Sequence, residues 1–111
     1  MASRILLTED DPDVRSLVAE VLREAGYAVD EATTVSQAFA LLDGGASFDL
    51  VLTDGRLPDG DGFMVADRVR PNGTPILVYT GFALAVRRFL RRKDPRPIVT
   101  VEMSEMAQSN R

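Results

Sequence analysis

The side chains best suited to chemistry in this sequence are acids and one hydroxyl at the ends of short apolar runs. Glu9 and Asp10 follow the run RILLT, Asp54 follows FDLVLT, and Thr80 ends the run PILVYT. Each run has the length and composition of a buried strand. In an open sheet of parallel strands, ligands bind outside the carboxyl ends of the strands. If these strands are neighbours, three carboxylates and a hydroxyl share one crevice.

Carboxylates held this close together repel one another, and a bound cation removes that repulsion. The chain has no histidine and no cysteine, so a metal would have to be bound by oxygen ligands. Oxygen ligands favour a hard cation, and Mg²⁺ in particular also binds phosphate oxygens. We therefore expect a magnesium site in this crevice, placed to meet phosphate oxygens.

Each acid also has an ordinary structural explanation when it is considered alone. Acids before a helix commonly cap it, and Asp11 followed by Pro12 is typical of a helix start. Asp54 followed by Gly55 is typical of a turn, and a threonine at a strand end indicates little. It is the placement of all the acids at strand ends that favours a shared site.

The composition excludes several kinds of site. The chain lacks histidine, cysteine and tryptophan and has one lysine, Lys93. It therefore cannot carry a Ser-His-Asp or Cys-His nucleophile, a zinc or haem site held by His or Cys, or a disulfide. Its 111 residues, 45% of them hydrophobic, suit one core, so we expect a single domain over residues 1–111. The apolar run near the start is too short for a signal peptide or a membrane span, which favours a cytoplasmic protein.

The elements that must position the acids alternate along the chain. Strands are predicted at residues 4–8, 27–29, 48–53, 75–80 and 97–101, and residues 55–62 form a loop rich in turn residues. Helices are predicted to begin at Asp11, at Thr34 or Ser36, and near Phe63, and a fourth follows Phe82. This alternation implies an α/β fold with a doubly wound, five-stranded parallel sheet that is covered by helices on both faces.

The motifs, taken in order, resemble the receiver domain of response regulators in two-component signalling. The resemblance rests on ILLTEDD near the start, FDLVLTDGRLPDGDG in the middle and PILVYTGFA at the fourth predicted strand. It covers the chain from Arg4 to about Phe82. It implies a flavodoxin-like three-layer sandwich and a phosphoacceptor signalling domain rather than an enzyme.

The resemblance implies a role for each site residue. Asp54 would accept a phosphoryl group, Glu9 and Asp10 would hold Mg²⁺ with Asp54, the Arg56 backbone carbonyl would complete the protein ligands, and Thr80 would be the switch hydroxyl. The reaction needs a cation and hydrogen-bond donors, which backbone amides after Asp54 and the Thr80 hydroxyl can supply. Because the chain has no histidine, we expect the donor to be a phosphohistidine on a partner histidine kinase or His-phosphotransfer protein.

One position departs from the family pattern. The family usually has a Lys-Pro pair at the end of the fifth strand, where the ammonium group binds the phosphoryl group. Here Glu102 and Met103 stand there, and an acid repels a phosphoryl group. Lys93 lies too early in the sequence to take that place. The alternative function is a degenerate receiver-like interaction module that works without phosphorylation.

Positive charge is concentrated near the end of the chain. Residues 1–80 hold 6 basic and 14 acidic side chains, whereas residues 81–111 hold 7 and 3. Four arginines form one side of the fourth predicted helix: Arg87, Arg88, Arg91 and Arg92. Such a face is commonly just solvated, and as a functional surface it favours a downstream acidic protein over nucleic acid or a membrane. Residues 104–111 are short and polar, so we expect an atypical or incomplete last helix.

Overall fold

The computed structural model of the protein describes residues 3–81 and 98–102. Its main sheet contains five strands: β1 (Arg4–Thr8), β2 (Ala28–Ala32), β3 (Leu50–Asp54), β6 (Ile76–Gly81) and β7 (Ile98–Glu102). Their order is β2-β1-β3-β6-β7, and every neighbouring pair is parallel. The predicted five-stranded parallel sheet is confirmed.

Three helices connect these strands in the described ranges. They are α1 (Pro12–Glu24), α2 (Val35–Asp43) and α3 (Gly62–Val69), and a 3₁₀ turn follows at Arg70–Asn72. Within the predicted loop after β3, two short strands, β4 (Arg56–Leu57) and β5 (Gly60–Asp61), form a small antiparallel hairpin.

The helix starts follow from their capping residues. Asp11 caps α1, since its Oδ1 accepts hydrogen bonds from the backbone amides of Asp13 at 2.9 Å and Val14 at 3.1 Å. Of the two candidate caps for α2, the structure selects Thr34, whose hydroxyl accepts from the Gln37 amide at 3.0 Å. Gly26 follows α1 with a φ of +98°, a left-handed conformation that glycine adopts without strain.

Side chains alternate between two apolar clusters on the two faces of the sheet. Leu6 packs on one face with residues of α2 and α3, whereas Ile5 and Leu7 pack on the other face with Ala19 of α1. Complete burial of such a side chain contributes about 1.5–3 kcal/mol. Helices therefore cover both faces, which confirms the doubly wound, three-layer α/β architecture.

The second strand is longer than predicted: it occupies residues 28–32, whereas the prediction was 27–29. Its polar residues Asp30 and Glu31 do not alternate with apolar ones, so they gave no strand signal. They are accommodated because β2 lies at the sheet edge and because arginines pair with them. Arg4 contacts Asp30 at 2.6 Å, and Arg23 contacts Glu31 at 3.0 Å.

Two predictions concern residues that the structure does not describe. The predicted helix that carries Arg87, Arg88, Arg91 and Arg92 lies outside the described residues, and so does the predicted last helix at 104–111. Within residues 3–81 and 98–102, no helix has the length and hydrophobicity that a membrane span requires.

Candidate functional site

Three acids meet at the carboxyl edge of the sheet. Strands β1 and β3 are neighbours, with Thr8 beside Thr53, so the residues that follow them lie together. Glu9, Asp10 and Asp54 each offer a carboxylate oxygen, and these oxygens lie within 4.8 Å of one another. Glu9 is buried, Asp54 is half-buried and Asp10 is exposed. The cluster therefore extends from the core to solvent.

These three side chains fit a hard divalent cation. All the donors are oxygens, and two of the carboxylates are at least partly withdrawn from water. Such ligands suit Mg²⁺, which needs few protein ligands because it keeps several waters. Helix capping does not explain the cluster, because Asp11 rather than Glu9 or Asp10 caps α1.

Glu9 is the buried member of the cluster, with only 2% of its surface exposed. Its Oε1 accepts a hydrogen bond from the Tyr79 hydroxyl at 2.7 Å, and its Oε2 accepts one from the Asp11 amide at 3.1 Å. Burial, aided by the nearby charge of Asp54, raises the pKa of Glu9 to about 7, although both hydrogen bonds lower it. A cation at the cluster would favour the charged form.

Tyr79, in β6, was not among the predicted site residues. Its side chain is 5% exposed, and burial and the charge of Glu9 raise the pKa of its hydroxyl. Its backbone carbonyl accepts a hydrogen bond from the Gly55 amide at 2.7 Å. A tyrosine in a buried strand usually needs a partner for its hydroxyl. That need was the one feature of the sequence that could have indicated a contact between Tyr79 and the site.

The segment after β3 holds the Asp54 carboxylate. The Arg56 amide donates to Asp54 Oδ1 at 3.1 Å. The Gly55 amide, predicted as a donor to a phosphoryl group, instead donates to the Tyr79 carbonyl because the main chain continues beside β6. Gly62 packs against this segment so closely that a Cβ there would overlap the Asp54 carbonyl oxygen.

Arg15 supports the segment between β1 and α1, a role that was not predicted from the sequence. Its Nη1 donates to the Glu9 carbonyl at 3.0 Å, and its Nε lies 3.3 Å from Glu31 Oε1. Its position one helical turn into α1 lets the guanidinium reach back to the acidic segment. The partly buried guanidinium of Arg15 therefore holds the main chain of the acidic segment in place.

Three more of the predicted site residues, Thr80, Glu102 and Arg56, have their main chain at the same edge of the sheet. Thr80 follows Tyr79, which pairs with Asp54 in the register of β3 and β6. Glu102 is the last residue of β7 and pairs with Gly81. Arg56 begins β4, two residues after Asp54.

Comparison with known proteins gives one consistent family. The family model of the response regulator receiver domain matches residues 5–101. The transcriptional regulatory protein TcrA from Mycobacterium tuberculosis is 42% identical over 79 residues, which cover 69% of this chain and 31% of TcrA. This chain spans about a third of the length, or less, of the first curated relatives that it matches.

Solved structures share the fold. The receiver domain of HemR from Leptospira biflexa has a TM-score of 0.73 at 34% identity, over 97% of this chain and 87% of that one. The receiver domain of the sensor histidine kinase PA1611 from Pseudomonas aeruginosa has a TM-score of 0.68 at 30% identity, over 80% and 75% of the two chains. That structure has a magnesium ion coordinated in its active-site cleft.

Proposed function

This chain belongs to the response regulator receiver domain family of two-component signalling, and we propose that it accepts a phosphoryl group on Asp54 in a Mg²⁺-dependent reaction. The observation that carries the proposal is the convergence of Glu9, Asp10 and Asp54 within 4.8 Å at the carboxyl edge of the sheet. A half-buried carboxylate beside two other acids can approach a phosphoryl group only if a cation offsets the repulsion.

The proposed ligands of Mg²⁺ are the carboxylates of Glu9, Asp10 and Asp54 and the backbone carbonyl of Arg56. When bound, Mg²⁺ neutralises charge on the phosphoryl oxygens. The magnesium-bound receiver domain from Pseudomonas aeruginosa supports this choice of cation. The chain's own part is to hold the acids, and the Arg56 amide orients Asp54 by its hydrogen bond to Oδ1.

The proposed reaction transfers the phosphoryl group from a partner to this chain. A carboxylate oxygen of Asp54 attacks the phosphorus of a phosphohistidine, and the phosphorus–nitrogen bond breaks. The imidazole leaves with the bonding electron pair and is protonated, and an acyl phosphate remains on Asp54. The donor is a histidine kinase or a His-phosphotransfer protein, and the Thr80 hydroxyl donates to the transferred group. In this role the chain is a phosphoacceptor and not an enzyme that acts on a separate substrate.

The proposed output is a change in protein–protein contacts with a downstream target. The predicted fourth helix carries four arginines on one side, Arg87, Arg88, Arg91 and Arg92. Their positive charge favours a target with an acidic surface. TcrA is named a transcriptional regulator, but this chain spans only 31% of it. We propose a protein target, without nucleic acid or membrane contact by this domain.

A second candidate function is a receiver-like interaction module that works without phosphate. The observation that favours it is Glu102 at the end of β7, paired with Gly81 beside the proposed switch residue Thr80. A carboxylate at this edge of the sheet opposes the binding of a phosphoryl dianion.

Intact-mass spectrometry separates these two functions. The protein is incubated with acetyl phosphate, and separately with a histidine kinase that phosphorylates a control receiver domain, with Mg²⁺ or with EDTA. We expect the mass of one phosphoryl group to be added only with Mg²⁺, and not in Asp54→Asn. If neither donor adds mass, the phosphate-independent module is favoured. Calorimetric titration with Mg²⁺ provides a second readout, because Asp10→Ala should weaken binding.

A further inference from the structure

We propose that the Tyr79 hydroxyl is a positioning group for the cation site, which holds the Glu9 carboxylate in the orientation that binds Mg²⁺. This inference rests on the proposed magnesium site. It assigns a role to Tyr79, which precedes the proposed switch Thr80. Tyr79 contacts the acidic cluster from β6, the strand next to β3.

The contacts of Glu9 carry the inference. The Tyr79 hydroxyl lies 2.7 Å from Glu9 Oε1, and the two residues are 70 positions apart in the sequence. The other oxygen, Oε2, accepts from the Asp11 amide at 3.1 Å. Both oxygens are therefore held, one from β6 and one from the start of α1. A carboxylate offers about four lone-pair sites, so each oxygen keeps capacity to face a cation.

Glutamate needs such support more than aspartate does. Its longer side chain has one more rotatable bond, so a free Glu9 would have more orientations to lose when a cation binds. The buried hydroxyl and the amide fix the carboxylate in advance, which removes part of this cost. Groups that orient a ligand in this way commonly alter metal affinity by 10- to 100-fold, roughly, when they are removed.

The hydroxyl can be tested separately from the rest of Tyr79. The Tyr79 carbonyl, which holds the Gly55 amide at 2.7 Å, is unchanged when the side chain becomes phenylalanine. The ring also keeps its place in the cluster with Ile5 and Leu7. Tyr79→Phe therefore removes one hydrogen bond and little else.

The chain provides a matched control, because its other tyrosine, Tyr27, is 42% exposed and outside the site. We expect Tyr79→Phe to raise the Mg²⁺ dissociation constant about tenfold, measured by calorimetry on the whole chain, and Tyr27→Phe to leave it unchanged. At saturating Mg²⁺, the rate of phosphorylation by acetyl phosphate should return to within about twofold of the wild-type rate.

A double-mutant cycle shows whether the effect passes through Glu9. In the Glu9→Gln background, Tyr79→Phe should cause no further loss of Mg²⁺ affinity. In the Tyr27→Phe variant, Tyr79 is the only tyrosine and the chain has no tryptophan, so its emission should change as Mg²⁺ is added. This second measurement does not depend on the stability of the Tyr79→Phe variant.

The outcomes distinguish this inference from the proposed function. If the wild-type chain binds no Mg²⁺, the proposed function and the inference both fail. If the wild-type chain binds Mg²⁺ but Tyr79→Phe binds it equally well, or loses as much affinity in the Glu9→Gln background, only the positioning role is overturned. Tyrosine emission that does not respond to saturating Mg²⁺ would also contradict it.

Discussion

Asp59 Oδ1 accepts a hydrogen bond from the backbone amide of Val35 at 2.8 Å, which joins the hairpin after Asp54 to the start of α2. The second oxygen of Asp59 accepts from the Ser36 amide at 3.0 Å. The first amides of a helix have no partner within the helix, and negative charge is stabilised there. The segment that follows the proposed phosphoacceptor is thus anchored to a neighbouring helix.

Replacement of Asp59 should lower stability in a pH-dependent way. The two amide bonds lower the pKa of Asp59 below its ordinary value of 3.8. A lowered pKa in the folded state means that the stabilisation is present at neutral pH and is lost as pH falls through that pKa. We expect Asp59→Ala to lower the Tm at pH 7 by more than at pH 3, as measured by calorimetry.

Asp67 provides the matched control for Asp59, because its side chain is 73% exposed and its contact with Arg70 is long, at 3.7 Å. Asp67→Ala should leave the Tm almost unchanged at both pH values. Equal losses for the two variants at pH 7 would show that the bonds to α2 contribute nothing measurable.

Glu9 should make the metal-free protein less stable as pH rises. Its pKa is raised from 4.5 to about 7 in the folded state, so the folded state binds the proton more tightly than the unfolded state does. The resulting stabilisation is complete below pH 4.5 and disappears as pH rises through 7, a loss of at most about 3 kcal/mol. Urea denaturation in EDTA across this range measures it.

Glu9→Gln is the comparison for the pH measurement, since glutamine cannot ionise. In the variant, the free energy of unfolding should lack the decrease with pH that Glu9 causes. Mg²⁺ at pH 8 should also stabilise the wild-type chain more than the variant. If the free energy of unfolding depends on pH in the same way in both proteins, the raised pKa of Glu9 is contradicted.

Gly62→Ala should disturb Asp54 directly. The added Cβ would overlap the Asp54 carbonyl oxygen and approach Thr53 Cγ2 at 3.0 Å, so the main chain must move. We expect a loss of about 1–3 kcal/mol in the free energy of unfolding, together with slower phosphorylation by acetyl phosphate.

Gly26→Ala separates the site effect from general destabilisation. Gly26 has a φ of +98°, and no atom lies within 4 Å of the position that a Cβ would take, so alanine costs about 1 kcal/mol of backbone strain far from the acids. This variant should be phosphorylated at the wild-type rate. Equal rates for Gly62→Ala and Gly26→Ala would contradict a role for Gly62 at the site.

Glu102→Lys should strengthen the binding of beryllofluoride, a phosphoryl mimic. The substitution replaces a repelling charge with an attracting one at the end of β7, next to the proposed switch strand. Glu24→Lys makes the same change at the exposed end of α1 and should have little effect. If the two variants bind the mimic equally, Glu102 does not face the phosphoryl position.

Much of the fold could be predicted from short-range signals. The apolar runs predicted β1, β3 and β6, and Asp11 with Pro12 predicted the start of α1, because strand burial and helix capping depend on adjacent residues. The convergence of the acids was predicted because the carboxyl ends of parallel strands share one edge of the sheet. No contact between particular residues was needed for that prediction. The structure then placed Glu9, Asp10 and Asp54 together.

The contacts missed by the sequence prediction depend on residues far apart in the chain. Tyr79 in β6 and Glu9 after β1 meet across the one intervening strand, β3, and nothing in the local pattern of either residue indicates the other. Gly62 was predicted to lie in the loop after Asp54, but the close approach of the Asp54 carbonyl that requires a glycine there depends on how the main chain folds. Asp30, within β2, gave no strand signal because it is polar and does not alternate with apolar residues. Arg4, which accommodates it in the sheet, comes from another strand.

The most direct measurement locates the phosphoryl group on the chain. After incubation with acetyl phosphate and Mg²⁺, borohydride reduces an aspartyl phosphate to homoserine, which peptide mass spectrometry identifies by position. We expect homoserine at residue 54 and nowhere else, and none when Mg²⁺ is replaced by EDTA. A reduced residue at Asp10, or no reduced residue under conditions that label a control receiver domain, would contradict Asp54 as the phosphoacceptor.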